Sequence, residues 1–543
     1  MQILARAWQW FDRVILGLGR EMRFSYLPPL MVYVAAGVSG LTGIVGTFFV
    51  KDYLGLTAEF LVALGFWAGL PWALKMPVGH LVDLMWRHKS SLVYLGASLI
   101  GASLAIMVGL LAHPQAMRDV MSAESWFVLA ALLSPVGYVL QDVVADAMTV
   151  EAVPHLDEQG RGIAAEDRRA MHTTMQTLGR VAIIGGTVLV ALVNVYMMRG
   201  VQNLPEAQKV ATYVAVYQMA FVIPLVSVAG VLLAAWLRIK TVRRLARQGV
   251  PREEIDRVLH PQGERPPVNW WVLGGGLAFA AVSLAVGIGK VPYAQEIVFG
   301  SSMAIILFLM SRLVRELEPA ARNTLVGTAI VIFVYRALPG PGPGSTWWMI
   351  DSLKFDQQFL SELALIANTL TLVGLFVFRR FMAERSIFHV VAVLTVVGTV
   401  LSLPTVGMYY GLHEWTAART GGVVDARFIA LVDTALESPL GQVAMVPMLA
   451  WIANSAPEKL KATYFAVMAS FTNLALSASQ LGTKYLNQIY TVTREVKDAA
   501  TGAVKVPADY SQLGTLYITS IALGFCVPLA AILVLRMLRQ RSA

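Results

Sequence analysis

The apolar residues of this 543-residue chain are gathered into blocks of about 20. That is the length at which an α-helix, rising about 1.5 Å per residue, crosses a hydrocarbon core. The chain therefore reads as an all-α integral membrane protein. Composition agrees: hydrophobic residues make up 57% of the chain and charged residues 14%, too little charge to cover a soluble protein of this size. The one cysteine, Cys526, lies in the last apolar block, so no intrachain disulfide can form. The formal net charge of +9 does not call for nucleic acid, because Lys and Arg fall between the blocks, where membrane orientation places them.

The first residues, MQILARAWQWFDRVILGLGREMRF, lack the short apolar core and small-residue cleavage site of a signal peptide. Trp8, Phe11, Ile15 and Leu18 fall near one helical face, with Arg6, Arg13 and Arg20 elsewhere. Residues 1–26 are expected to form an amphipathic helix lying at the interface.

About fourteen spans come after it, near 27–49, 57–82, 91–112, 126–149, 171–197, 211–236, 269–289, 293–311, 323–338, 357–378, 387–411, 427–453, 462–485 and 514–535. With the N-terminus in the cytoplasm, inside segments hold about 28 Lys and Arg and outside loops about 11. Both termini are then cytoplasmic. The richest inside segment is 237–268, a basic linker. It divides a six-span half, 27–236, from the eight spans C-terminal to it. The pair within 269–315 reads as an extra two-helix hairpin, either two crossings or one re-entrant turn, and 316–543 as a second six-span half. Two six-helix halves joined by a long basic loop is the plan of major facilitator transporters, although many-helix membrane proteins of other kinds share parts of it.

A charge at the centre of a span costs about 2.5–3.5 kcal/mol on insertion scales, so such residues are paired or functional. The bases inside spans are Lys75, Arg180, Arg336 and Lys484. In the fourth span Asp142 and Asp146 stand one turn apart on one face. They suit a proton carrier, or Asp146 lies solvated at the boundary and only Asp142 is deep. In the fifth span His172, Gln176 and Arg180 form a polar stripe at successive i+4 positions, which must face a cavity or another helix. Asp142 is the natural partner for Arg180, as an anion site or as a structural salt bridge. Asp433 and Glu437 repeat the paired-acid spacing in the second half. Arg336 and Lys484, near span ends, have the plainer reading of side chains reaching to the interface. Gly37, Gly40, Gly43 and Gly46 stripe the first span, for close helix packing or as the border of a substrate path.

No G-x-x-x-x-G-K-[ST] loop occurs, so the chain does not couple ATP hydrolysis itself. His413-Glu414 lacks the second His of a zinc-protease motif, and no G-x-S-x-G elbow is present. Neither an enzyme nor a metal site has positive support.

GHLVDLMWRHK, between the second and third spans, resembles a degenerate major facilitator loop anchored on Gly79, Asp83, Arg87 and Lys89. PWALKMPVGHLVD, QDVVADAMTVE, RALPGPG with SLKFDQQFL, and ATYFAVMASFTNLA resemble, in order, four segments of the folate–biopterin transporter family. Lys75, Asp83, Asp142, Asp146, Arg336, Ser470 and Asn473 fall on its motif positions, while Met76, Val82 and Lys461 depart from it. The resemblance implies a major facilitator fold importing folates, pterins or related anions, often with protons. The muropeptide permeases are a related pattern, with a similar span count and a Q-D-x-x-x-D-A segment.

These readings combine into an expectation. An anionic folate- or pterin-like substrate binds between the halves, contacted by Lys75, Gln141, Gln176, Arg180, Arg336 and Asn473, with Trp67, Trp72 and Tyr138 available for stacking. Asp142, Asp146, Asp433 and Glu437 carry protons. No cofactor, metal or nucleic acid is called for. The protein is expected to work as a monomer in the bacterial inner membrane. A muropeptide-permease-like transporter of another solute or an exporter is the alternative, and a non-transporting protein whose buried charges pair with one another a further one.

Overall fold

The computed structural model describes residues 17–54, 56–73, 75–154, 163–249, 251, 255, 268–288, 291–315, 319–378, 381, 385–441, 443, 461–497 and 504–540. Nearly all of these are helical. The first span is α1, Leu27–Val38, a 3-10 turn over Ser39–Thr42, and α2, Gly43–Phe49. The second is α3, Ala58–Ala73, and α4, Lys75–Leu84, on either side of residue 74, which lies outside the described residues. Pro77 has no N–H to return to the carbonyl of Ala73, so the span lacks one helical hydrogen bond there. Then come α5, Ser90–Ala112, α6, Ala123–Ala152, and α7, Ala165–Met197. The sixth span is α8, Glu206–Ala220, and α9, Val222–Arg247. Its last turns run into the basic segment expected as linker, so that segment begins as helix.

The pair expected within 269–315 is α10, Trp270–Ile288, and α11, Ala294–Val314. The second half contains α12, Pro319–Arg336, α13, Pro343–Asp351, α14, Gln357–Val377, α15, Ile387–Leu401, and α16, Leu403–Tyr409. It continues through α17, Leu412–Arg419, α18, Ala426–Glu437, α19, Lys461–Ile489, and α20, Leu513–Met537. Between α19 and α20 a two-stranded antiparallel ribbon pairs β1, Val496–Lys497, with β2, Val504–Val506.

Among the described residues eleven helical stretches are long and apolar enough to cross a membrane, against the roughly fourteen expected from hydropathy. The segments 323–338, 427–453 and 462–485 are the three that differ. The first is the helix α12, opened by the polar run Pro319–Thr324 and closed by Arg336. Most of 427–453 beyond Gly441 lies outside the described residues. The third is α19, whose Ser470, Thr472, Ser477, Thr483 and Asn487 are buried in protein. A helix wrapped by other helices need not be apolar as one facing lipid must be. Residues 1–16, part of the expected interfacial helix, also lie outside the described residues.

The largest contacts between the halves are those of α3 on α19 and of α7 on α14. Within the first half, α1 meets α7 so closely that a Cβ on Gly186 would fall 2.9 Å from the Cα of Gly37. Gly40 and Gly43 have no described atom within 4 Å of such a Cβ. The glycine stripe of the first span is thus half packing surface and half open face. Outward-pointing Leu189, Leu192, Tyr196, Leu225 and Leu232 are exposed, as a lipid-facing surface requires.

Candidate functional site

Four helices of the first half bring polar groups to one place. Asp142 and Asp146 stand one turn apart on α6, and repulsion between them demands a cation. Lys75, the first residue of α4, supplies it: Nζ lies 2.6 Å from Oδ2 of Asp142 and 2.8 Å from Oδ2 of Asp146. Tyr33 on α1 donates its hydroxyl to Oδ1 of Asp146 at 2.6 Å. Its ring fits where α7 carries Gly179, since a Cβ there would sit 2.9 Å from the ring. Arg180, the next residue, is exposed, within electrostatic reach of Asp142, and among the described residues has no acid at ion-pair distance. The side chains of Lys75 and Asp142 are 19% and 14% exposed, but that of Asp146 is 42% exposed. The cluster is paired, yet it opens to solvent on the Asp146 side.

The partner expected for Arg180 is therefore taken by Lys75. Lys75 itself, expected on the substrate, is committed to two carboxylates. Gln141 is buried and turned away: its carbonyl oxygen accepts from the Ser227 hydroxyl at 2.8 Å and its amide donates to the Val93 carbonyl at 3.4 Å. It tethers α5, α6 and α9. Asn473 on α19 donates to the backbone carbonyl of Trp72 at 3.2 Å. It thus holds the second span three residues from Lys75. The nearby hydroxyl of Ser470 is buried without a partner. The side chains of His172, Gln176 and Arg87 lie outside the described residues.

Near the loop of the sequence motif, Lys89 Nζ lies 2.5 Å from Oε1 of Glu151 and 4.1 Å from the centre of the Trp86 ring. Burial pulls the Lys89 ammonium below the usual lysine range, against the opposing pull of Glu151. A Cβ on Gly79 would lie 3.9 Å from Val143 of α6, and Asp83 is half-buried further along α4. The Lys89–Glu151 pair ties the α4–α5 turn to the end of α6.

The second-half candidates are separate from this cluster. Asp433 accepts from the Thr405 hydroxyl at 3.2 Å, and its other oxygen is buried without a partner. Glu437, one turn on, is exposed, with Tyr335 within electrostatic reach. Arg336 closes α12 half-buried beside the Pro/Gly loop. Lys484 pairs with Glu296 of α11 at 3.1 Å. Trp67 packs edge-on against Phe66 and next to Gly287, and Trp72 and Tyr138 are partly buried against the hydrophobic clusters of the first half.

Sequence reasoning missed Tyr33 and Glu362. A tyrosine in an apolar span reads as packing, and only its hydroxyl, which needs a partner when buried, gives it away. Glu362, inside α14, accepts from Gln358 at 2.9 Å; as an acid within a span it carries the same signal as Asp142.

Residues 36–541 match the BT1 family. The chain belongs to the BT1 family. The folate-biopterin transporter of Synechocystis sp. is 22% identical to it over 461 residues, covering 84% of this chain and 74% of that protein. Among solved structures, a mutant of the peptide transporter POT in complex with alafosfalin aligns with a TM-score of 0.55 at 14% identity. It covers 96% of this chain and 95% of that one. A mutant of the nucleoside transporter NupG aligns with a TM-score of 0.50 at 10% identity, over 94% of this chain and 100% of that one. This BT1-family chain thus has an all-helical fold of the major facilitator kind, and its family is one of transporters, not enzymes. One fold carrying a peptide transporter and a nucleoside transporter leaves the substrate to be argued from the site.

Proposed function

We propose that this BT1-family protein is a proton-coupled importer of an anionic, pteridine-like small molecule, working by alternating access of its halves. The observation that carries the reading is the ammonium of Lys75, shared between Asp142 and Asp146, with Asp146 open to solvent. With both acids ionised, Lys75 and the two carboxylates sum to one negative charge, which Arg180 offsets. Protonation of either acid turns the four groups into a single net positive charge. An uncompensated charge in a low-dielectric interior is costly, so an anionic group gains by entering at that moment. Proton and anion are then carried together. The pteridine class rests on the family and on the name of the Synechocystis relative.

The rest of the reading comes from charge placement. The Lys89 end, with the basic last turn of α9, faces the cytoplasm of a bacterium together with both termini, and the Lys51 end faces outward. The chain makes fourteen crossings as a monomer, with α10 and α11 as a hairpin inserted between two six-span halves.

Uptake of radiolabelled folic acid and biopterin into proteoliposomes is expected to rise with an inward proton gradient, and Asp142→Asn to abolish that dependence while retaining binding. Gradient-driven uptake that persists in Asp142→Asn would sink the coupling role. A thermal-shift screen of the purified protein against folates, pterins, nucleosides and muropeptides tests the substrate class, since binding to the native state raises stability by mass action. A hit among muropeptides alone would replace the pteridine reading.

A further inference from the structure

α3 and α4 are described on either side of residue 74, and Pro77 of α4 cannot return a hydrogen bond to the carbonyl of Ala73. A helix lacking that bond bends more readily there, so the tilt of α4 depends also on what lies against it. Besides α6 and α19, that neighbour is α10.

The contact with α10 is unusually close. Gly276 lies against the Pro77 ring, and a Cβ there would fall on Pro77 Cβ and within 2.6 Å of Cγ. A proline ring cannot swing aside as a long side chain can. The three glycines of α10 divide the work: Gly275 faces Ile305 of α11, Gly276 faces Pro77, and Gly274 has no described atom within 4 Å. Just before α10, the backbone N–H of Asn269 donates to Nε2 of His80 on α4 at 2.9 Å. Two points on α4, one turn apart, are thus fixed by one neighbour.

The other leg of the pair stands on the second half. Glu296 of α11 meets Lys484 at 3.1 Å and accepts from the Tyr485 hydroxyl, both on α19. Ile306, Leu309 and Met310 are buried in one cluster with Met468, Phe471 and Leu474. The α10–α11 pair therefore bridges the α3–α19 seam, along which the halves must move against each other.

We propose that the α10–α11 pair is a strut that sets the tilt of α4, and with it the position of Lys75 between Asp142 and Asp146, according to where the second half stands. Gly276 acts as a positioning residue through Pro77, and Glu296 anchors the far leg. The inference needs no identity for the transported molecule.

Hydrogen exchange of the purified full chain tests it. In Gly276→Ala, amides of residues 78–84 are expected to exchange about tenfold faster than in the wild type, with residues 58–70 unchanged. Gly274→Ala, which adds its methyl into open space, is expected to leave α4 as it is. Pro77→Gly removes both ring atoms that the new methyl meets. Adding Gly276→Ala to Pro77→Gly should therefore have no further effect, a non-additivity that general loosening would not produce. Glu296→Gln, which leaves α10 untouched, is expected to raise exchange in α4 as well, and it decides the matter if Gly276→Ala fails to fold. Effects confined to α10 in Gly276→Ala, full additivity with Pro77→Gly, or a Glu296→Gln effect limited to α11 and α19 would each overturn the strut.

Discussion

Lys75 serves two carboxylates, which makes it the residue whose loss should be felt most. Lys75→Gln leaves Asp142, with a side chain 14% exposed, facing Asp146 without their shared cation. Removing one member of a buried pair costs about 3–5 kcal/mol, and the openness of Asp146 places the effect at the lower end. The unfolding midpoint should fall in Lys75→Gln and largely recover when Asp142→Asn is added, with a coupling of about 2 kcal/mol in the double-mutant cycle. Additive losses would remove the pair from the centre of the site. Tyr33→Phe deletes only the hydroxyl that Asp146 accepts from. Because that carboxylate is partly solvated, the expected loss is about 1 kcal/mol by denaturant unfolding, and an unchanged midpoint would mean that water serves Asp146 equally well. The acids of this site are legible in the sequence, since their one-turn spacing is local and their cost in lipid is general. Their partner is not. Lys75 and Asp142 are 67 residues apart, and no periodicity reports which of two intramembrane bases reaches across. Asn473 is likewise legible as a costly amide, but its acceptor is the backbone carbonyl of Trp72, 401 residues away, which only the fold reveals.

At the scale of elements, close approach decides more than hydropathy does. α5 and α6 cross at Gly96 and Gly137, where a Cβ on either residue would fall 2.6 Å from the other's carbonyl oxygen. Gly137→Ala must push the helices apart, and overpacking of this kind costs about 1–3 kcal/mol. Gly101→Ala, on the same α5 but in open space, should be neutral or slightly stabilising, as helix propensity favours alanine. Equal thermal stability of the two variants would show that the crossing yields freely. Membrane class, the paired acids and the basic segment after the sixth span are legible from block length and composition. Pro71 and Pro77, each of which removes a helical hydrogen bond within the second span, are plain in the sequence, but a hydropathy window averages them away. α19 is legible as the span expected near 462–485, but hydropathy does not tell that its polar residues face protein, which makes it central to the packing.

For the whole molecule, four polar ties between halves lie at one end. Lys51 pairs with Asp351 at 2.7 Å, the Gln488 amide donates to Glu59 at 2.5 Å, that of Gln357 to the Tyr213 hydroxyl at 2.9 Å, and the Gly200 N–H to Gln358 at 3.3 Å. All lie opposite the Lys89–Glu151 pair, at the end proposed to face outward. Asp351 also accepts from Tyr510 at 2.5 Å, so the segment after the β-ribbon helps hold the acid of α13 against Lys51. A molecule tied in this way is closed at that end, and alternating access requires the ties to break together. The Lys51–Asp351 side chains are 15% and 27% exposed, so the pair contributes about 1 kcal/mol, roughly a fivefold bias toward closure. Closure can be read at a different tie, with Glu59→Cys and Gln488→Cys in a Cys526→Ser background and a short bifunctional thiol reagent. Lys51→Asp and Asp351→Lys, each placing like charges together, should lower the crosslinking yield, and the two combined should restore it. A yield indifferent to the reversals would assign closure to the neutral contacts alone. Restoration by the swap would mean that charge pairing across the seam holds this end shut, while the cluster around Lys75 is left open on its Asp146 side to exchange a proton.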